Sequence, residues 1–149
     1  MSRFLSIILG AAIALFITVS PAMADLGLDR GHLAPCPSSP NCVVSQDGDA
    51  DHAVEPIAYS GDRDEVKSAL LKVLSVVPRT EVIEDTGDYI RTESTSRIFK
   101  FVDDAEFYFP EGENVIQVRS ASRVGESDLG VNRRRIEQIR LALADLLGE

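Results

Sequence analysis

The apolar residues between Asp62 and Pro78 fall on one helical stripe, and this feature decides what most of the remaining chain must become. Val66, Ala69, Leu70, Val73, Leu74 and Val77 sit at i, i+3, i+4, i+7, i+8 and i+11, the spacing of one face of an α-helix. Asp62 is placed to cap its start, Asp64 and Glu65 lie where the helix dipole favours carboxylates, and Pro78 closes it. A helix with one apolar stripe needs an apolar surface to lie on. The residues after Pro78 supply it, because the period changes from 3.6 to 2.

Strands are expected at 80–85, 89–95, 98–109 and 115–123, separated by Gly87-Asp88 and by a turn at 110–114 that contains Gly112. Turns this short imply antiparallel neighbours. In the third strand Phe99 and Phe101 share a face, Asp103-Asp104 interrupts, and Ala105, Phe107 and Phe109 resume; such a break predicts a bulge or bend. A shorter strand is expected at 54–59, ahead of the helix. After a loop at 125–130, a second helix is expected over 132–147, with Ile136, Ile139, Leu143 and Leu146 on one face and Gly148 past its end. The expected class is α+β: strand, helix, four strands, helix, as one curved antiparallel sheet with two helices packed on one face.

The amino-terminal end is an address. Residues 5–19 are almost wholly apolar, Arg3 precedes them, Pro21 ends them, and Ala22-Met23-Ala24 offers a signal-peptidase site. The apolar run falls short of the roughly 20 residues that cross a bilayer. Residues 1–24 are therefore expected to be a signal peptide, cleaved before Asp25. That leaves no transmembrane anchor and an exported chain, with the periplasm as the expected compartment. The domain reading is a signal at 1–24, an irregular leader with a cysteine loop at 25–52, and a single α+β domain at 53–149.

Charge narrows the partners. The signal carries one Arg and no acid, so its removal takes the net charge from −9 to −10. No basic face of the kind nucleic acid requires is expected. Residues 25–113 carry a net −11, whereas 114–149 carry +1, with every base there an arginine.

In the leader, Cys36 and Cys42 lie in Pro35-Cys36-Pro37-Ser38-Ser39-Pro40-Asn41-Cys42. An exported chain meets an oxidising compartment, so a disulfide is the default. Zinc held by the two thiols with His32 and His52 is the alternative, although the spacing matches no compact zinc motif. A reactive thiol pair is the third reading, without the usual Cys-x-x-Cys spacing. Asp47, Asp49 and Asp51 alternate as calcium ligands would, but His52 and Ala58 stand where an EF-hand needs Gly and Glu. A solvated acidic loop is expected, with no metal and no cofactor.

The densest polar chemistry lies between Arg119 and Arg140. Along 115–123, Arg119 and Arg123 share a face with Val115, Gln117 and Ala121, while Ser120 and Ser122 share the other with Ile116 and Val118. Both faces mix polar and apolar residues, so the pattern does not decide which is inward. Arg133, Arg134 and Arg135 occupy the first turn of the last helix, the end where the dipole disfavours cations. Either internal acids compensate (Asp103, Asp104, Glu106 or Asp128), or an external phosphate, sulfate or carboxylate does. The abundance of acids favours the internal reading.

Catalytic motifs are missing from the chain: it has no nucleophile elbow, no His-Glu-x-x-His, no P-loop and no dinucleotide fingerprint. Asp103 and Asp104 as a working carboxylate pair would need a bulge, since neighbours on a strand point to opposite faces.

Three stretches carry a resemblance. They are Leu33-Ala34-Pro35-Cys36-Pro37-Ser38-Ser39-Pro40-Asn41-Cys42-Val43, Phe101-Val102-Asp103-Asp104-Ala105-Glu106-Phe107, and the run from Arg119-Ser120-Ala121-Ser122-Arg123 through Ser127-Asp128-Leu129-Gly130-Val131-Asn132-Arg133 to Arg135-Ile136. Together they resemble the bacterial and plastid domain-of-unknown-function family 1499. The resemblance implies an exported or membrane-associated protein and supplies no activity.

The leading expectation is a non-catalytic exported binding or interaction module, holding a small anionic or lipidic ligand between sheet and last helix or meeting an envelope protein. Its candidate residues are Asp103, Asp104, Arg119 and Ser120 on the strands, with Ser122, Arg123, Asn132 and Arg133 towards the last helix. The alternatives are a hydrolase using Asp103 or Asp104 with Arg119 as anion stabiliser, and a structural envelope protein.

Overall fold

A computed structural model describes residues 26–149. The expected signal peptide at 1–24 lies outside the described residues. In chain order the elements are β1 (Leu28–Asp29), β2 (His32–Leu33), β3 (Cys42–Val44), β4 (Ile57–Ala58), α1 (Arg63–Val76), β5 (Thr80–Asp85), β6 (Tyr89–Thr95), β7 (Val102–Tyr108), β8 (Val115–Ser122) and α2 (Val131–Leu147). The fold is α+β: an open, antiparallel sheet in the order β3-β8-β7-β6-β5, with β4 pairing the same edge of β8 nearer its start.

Both helices lie on one face of the sheet, as their stripes demand. From α1, Val66, Ala69, Leu70, Val73 and Leu74 are buried; from α2, Ile136, Ile139 and Leu143. They close over Ile90, Ala105, Phe107, Phe109, Ile116 and Val118. The Asp62 carboxylate accepts the Asp64 and Glu65 backbone N–H groups and so caps α1. Gly148 ends α2 in a left-handed conformation and brings the Glu149 N–H onto the Ala144 carbonyl. Leu146, expected on the apolar face, is exposed instead, and Leu147 packs in its place.

The chain before α1 departs most from its sequence reading. The segment at 25–52, expected to be irregular, contributes three short strands, and Cys42–Val44 joins the main sheet against Arg119, Ser120 and Ala121 of β8. All three β3 residues are buried. A strand covered on both sides shows no alternation, so no period announced it. The β1–β2 hairpin and the cysteine loop then pass over the face opposite the helices, where Leu33, Val44 and Tyr89 form a second small core with Cys36 and Tyr108. The strand expected at 54–59 shortens to Ile57–Ala58.

The third long strand is also shorter than expected. It begins at Val102 and pairs without a break on both sides through Asp103 and Asp104, so the expected bulge is not there. The irregularity sits in edge strand β5, between Val82 and Glu84. Ile98, Phe99 and Phe101 belong to a turn that Ser96 closes by exchanging bonds with Phe101, with Lys100 at φ 57°.

Candidate functional site

The unbroken β7 ladder sends its two aspartates to opposite faces and so creates two polar clusters in place of one.

The first cluster lies under the β1–β2 hairpin. Glu106 is completely buried and receives three hydrogen bonds: from the Gly27 backbone N–H at 2.7 Å, the Tyr89 hydroxyl at 2.7 Å, and the Arg119 guanidinium at 3.0 Å. Register places it opposite Arg119 on β8 and Arg91 on β6. Burial, with the Glu106 charge beside it, pushes the Tyr89 phenol far above its ordinary range. The Arg119 Nε is buried without a partner. One pair along β7, Asp104 accepts both the Nε and Nη2 of Arg123, at 2.7 and 2.9 Å, and Nη1 of Arg91 at 3.0 Å. Both arginines also donate to Glu93. The hydrogen bond to Asp104 is the main cause holding Arg123 above its ordinary pKa.

The second cluster lies on the helix side. Ser120 donates to the Asn132 side-chain carbonyl at 2.6 Å and accepts from Arg135 at 3.0 Å, and Arg135 closes on Asp103 at 2.6 Å. The Asn132 amide nitrogen reaches Ser122, the Asn41 carbonyl and Asp128. Asp128 also accepts the Gly130 and Asn132 backbone N–H groups, capping α2 where Gly130 has no side chain to offer. Burial alone would raise the Asp128 pKa; the amides that it accepts outweigh that and hold its carboxyl below the usual range.

The expected site residues therefore divide. Asp103, Ser120, Ser122 and Asn132 come together beside the start of α2. Asp104, Arg119 and Arg123 lie through the sheet from them. Arg133 joins neither group: it donates to the Ala53 and Asp51 carbonyls, and Arg140, two turns on, to those of Pro56 and Glu55. These two arginines staple α2 to the 51–56 segment. Arg135, rather than Arg133, faces Asp103. The sequence held the signal, since Arg135 stands at i+3 from Asn132 and shares its helical face. Arg91 and Glu93 were missed too; alternation along β6 puts them on the Asp104 face once the register is known.

Cys36 and Cys42 form a disulfide, Cα–Cα 5.6 Å. The histidines weighed as their zinc partners are engaged elsewhere. His32 lies against Asp47, and buried His52 bridges Asp49 at 2.7 Å and the Ser39 carbonyl at 3.1 Å. The hydrogen bond to Asp49 chiefly raises the His52 pKa above its ordinary value. Both neighbours are acceptors, so the ring ties the acidic loop to the cysteine loop through both nitrogens when it is protonated. No group of three or more His, Cys, Asp or Glu side chains arranged to hold a metal occurs among the described residues, and none of their helices is long and apolar enough to cross a membrane.

A third feature lies at the end of the sheet where α1 finishes and α2 begins. A groove of about 440 Å³ is lined by Arg79, Arg97, Arg134 and Arg135, with Thr80, Ser94, Thr95 and Ser96 along its floor. It shares Val77, Pro78, Arg135 and Gln138 with an apolar trough of about 220 Å³, walled by Val73, Val76, Ile139 and Ala142. Arg79 spends its Nε on the Thr95 carbonyl and Arg134 its Nη1 on that of Leu129. Asp103 is the only acid in the lining and is paired with Arg135.

No curated protein matches the chain. A family model described as "Protein of unknown function (DUF1499)" matches residues 32–143, a span containing the cysteine loop, both aspartates, the serines and arginines of β8 and most of α2. The chain belongs to the DUF1499 family.

Proposed function

We propose that this protein is an exported, non-catalytic binding module whose ligand is a small anionic amphiphile, held between the ends of α1 and α2. One observation carries the reading: an arginine-lined groove continuous with an apolar trough. Arginine forks suit phosphate, sulfate or carboxylate heads, and the trough suits a short hydrocarbon tail. The candidate residues at Ser120, Ser122, Asn132 and Asp103 act as the support that sets Arg135 at the groove wall. In this reading the signal peptide at 1–24 directs export to the periplasm and is removed before Asp25, and residues 25–149 work as one unit; the disulfide supports an oxidising compartment. N-terminal sequencing of protein recovered from the periplasmic fraction should begin at Asp25.

The hydrolase alternative has less support. Asp103 and Asp104 are on opposite faces, and Arg119 is committed to Glu106.

Isothermal titration tests the binding reading, using octanoate and monohexyl phosphate below their micellar concentrations beside octanol and inorganic phosphate. The anionic amphiphiles should bind more tightly than either control. Arg79→Gln and Arg134→Gln should each weaken them by about 10-fold or more, the worth of a charge-assisted hydrogen bond. Equal affinity for octanol, or no change in either variant, would remove the groove from consideration.

A further inference from the structure

We propose that the end of the sheet formed by the 96–101 turn and the 124–131 loop seats on an anionic lipid bilayer. The patch shares Arg79, Arg97, Arg134 and Val131 with the groove and Val76 with the trough, but the inference requires no small-molecule ligand there. Of the twelve large apolar side chains exposed among the described residues, seven lie at this one end: Val76, Ile98, Phe99, Phe101, Val124, Leu129 and Val131. Leu129 is 85% exposed, Ile98 77% and Phe99 73%. Scattered exposed apolar residues need no explanation, but a cluster at one end of a protein does.

The register explains why they gather. Thr80, Ser94, Asp103 and Ser122 form one row across β5, β6, β7 and β8, so everything immediately beyond that row emerges at the same end. The turn is preformed. Phe99 and Phe101 stack with centroids 5.5 Å apart, and Ser96 closes the loop that carries them. Arg134 holds Leu129 in place through its carbonyl.

Charge identifies the occupant. The 96–101 turn carries Arg97 and Lys100 and no acid, on a chain whose net charge is −9. Arg79 and Arg134 stand at the same end, and among the described residues none of these four cations has a salt-bridge partner. Of the acids in these loops, Asp128 is consumed in capping α2, and Glu126 alone remains. Aromatic and aliphatic side chains interleaved with bases suit a surface that is apolar beneath and anionic on top. A second copy of the chain suits it poorly, since a two-fold contact would bring like cations face to face.

The test is flotation of the protein, purified from its own host, with phosphatidylethanolamine–phosphatidylglycerol vesicles and with phosphatidylcholine vesicles. Binding should favour the anionic vesicles and weaken in high salt. Arg97→Gln and Lys100→Gln should each cost about 5-fold, and Phe99→Ser with Phe101→Ser about 10-fold or more. These side chains are exposed, so the variants should keep the wild-type unfolding temperature. The chain contains no tryptophan, so Phe99→Trp is a clean reporter. Its emission should shift to the blue on anionic vesicles and be quenched by brominated acyl chains. No flotation with anionic vesicles, or flotation indifferent to the substitutions, overturns the proposal. A blue shift that follows protein concentration without quenching by brominated lipid assigns the patch to self-association and overturns it too.

Discussion

Glu106 and Phe107 are neighbours on β7, both fully buried, and they point to opposite faces of the same sheet. Phe107 packs under two helices whose stripes close on it by apolar fit. Glu106 sits under the 26–47 segment, which offers few apolar side chains, and is fixed by three hydrogen bonds, one of them to that segment's own backbone at Gly27. The difference follows from what covers each face. A helix with a continuous stripe removes enough apolar area from water to hold itself down. A short hairpin and a disulfide loop do not, and here they are pegged by ion pairs and hydrogen bonds, which are directional and need each partner in place.

The sharpest way to break this comparison is Glu106→Gln. It leaves Arg119 buried without its counter-charge and should cost about 3–5 kcal/mol in urea unfolding. Phe107→Ala should cost about as much through the cavity it leaves. The two should part when the partner is also replaced. Glu106→Leu with Arg119→Met should recover the part of the loss that comes from the unpaired charge, because an apolar pair of similar volume needs no counter-charge, while the Gly27 N–H and the Tyr89 hydroxyl remain without their acceptor. A neutral Glu106→Gln would show that charge does not organise that face.

A smaller effect is expected from Cys36→Ser with Cys42→Ser. Opening a loop this short should cost roughly 2 to 2.5 kcal/mol. Hydrogen exchange should locate the loss, with faster exchange at Leu33 and Val44 and little change at Ile90 under the helices.

The smallest effect sharpens the comparison by pH. The folded pKa of His52 is raised above 6.5, first by its bond to Asp49. The clamp's contribution is therefore complete below the ordinary imidazole value and is lost as pH rises through the folded one. Thermal unfolding should show a modest loss of stability across that window, absent in His52→Gln. The helix-covered face should be indifferent to it.

The helices and the long strands were legible because each has a period and a stop signal. Asp62, Pro78 and Gly148 mark helix ends by local chemistry that needs no partner. The separation of Asp103 from Asp104 was legible as well, since alternation is a property of any strand. The Arg135–Asp103 pair was half legible: the surplus of cations at the start of α2 announced that an acid must answer, but Arg133 was placed in the cluster where Arg135 stands. Choosing between them required knowing which helical face meets the sheet. Residues 98–101 were read as strand because Phe99 and Phe101 alternate as strand residues do; the turn that exposes them depends on Lys100 taking a left-handed conformation.

By itself the sequence determined the class of the fold, the helix boundaries and the cysteine pair able to close a short loop, because period, capping and spacing act over a few residues. Tertiary structure alone decided that β3 completes the sheet edge, that Glu106 joins Asp104 in anchoring the ionic face, and that, among the described residues, four cations without a salt-bridge partner and seven exposed apolar side chains meet at one end. Those outcomes depend on strand register and on which segment covers which face, and both are set by contacts between residues far apart in the chain.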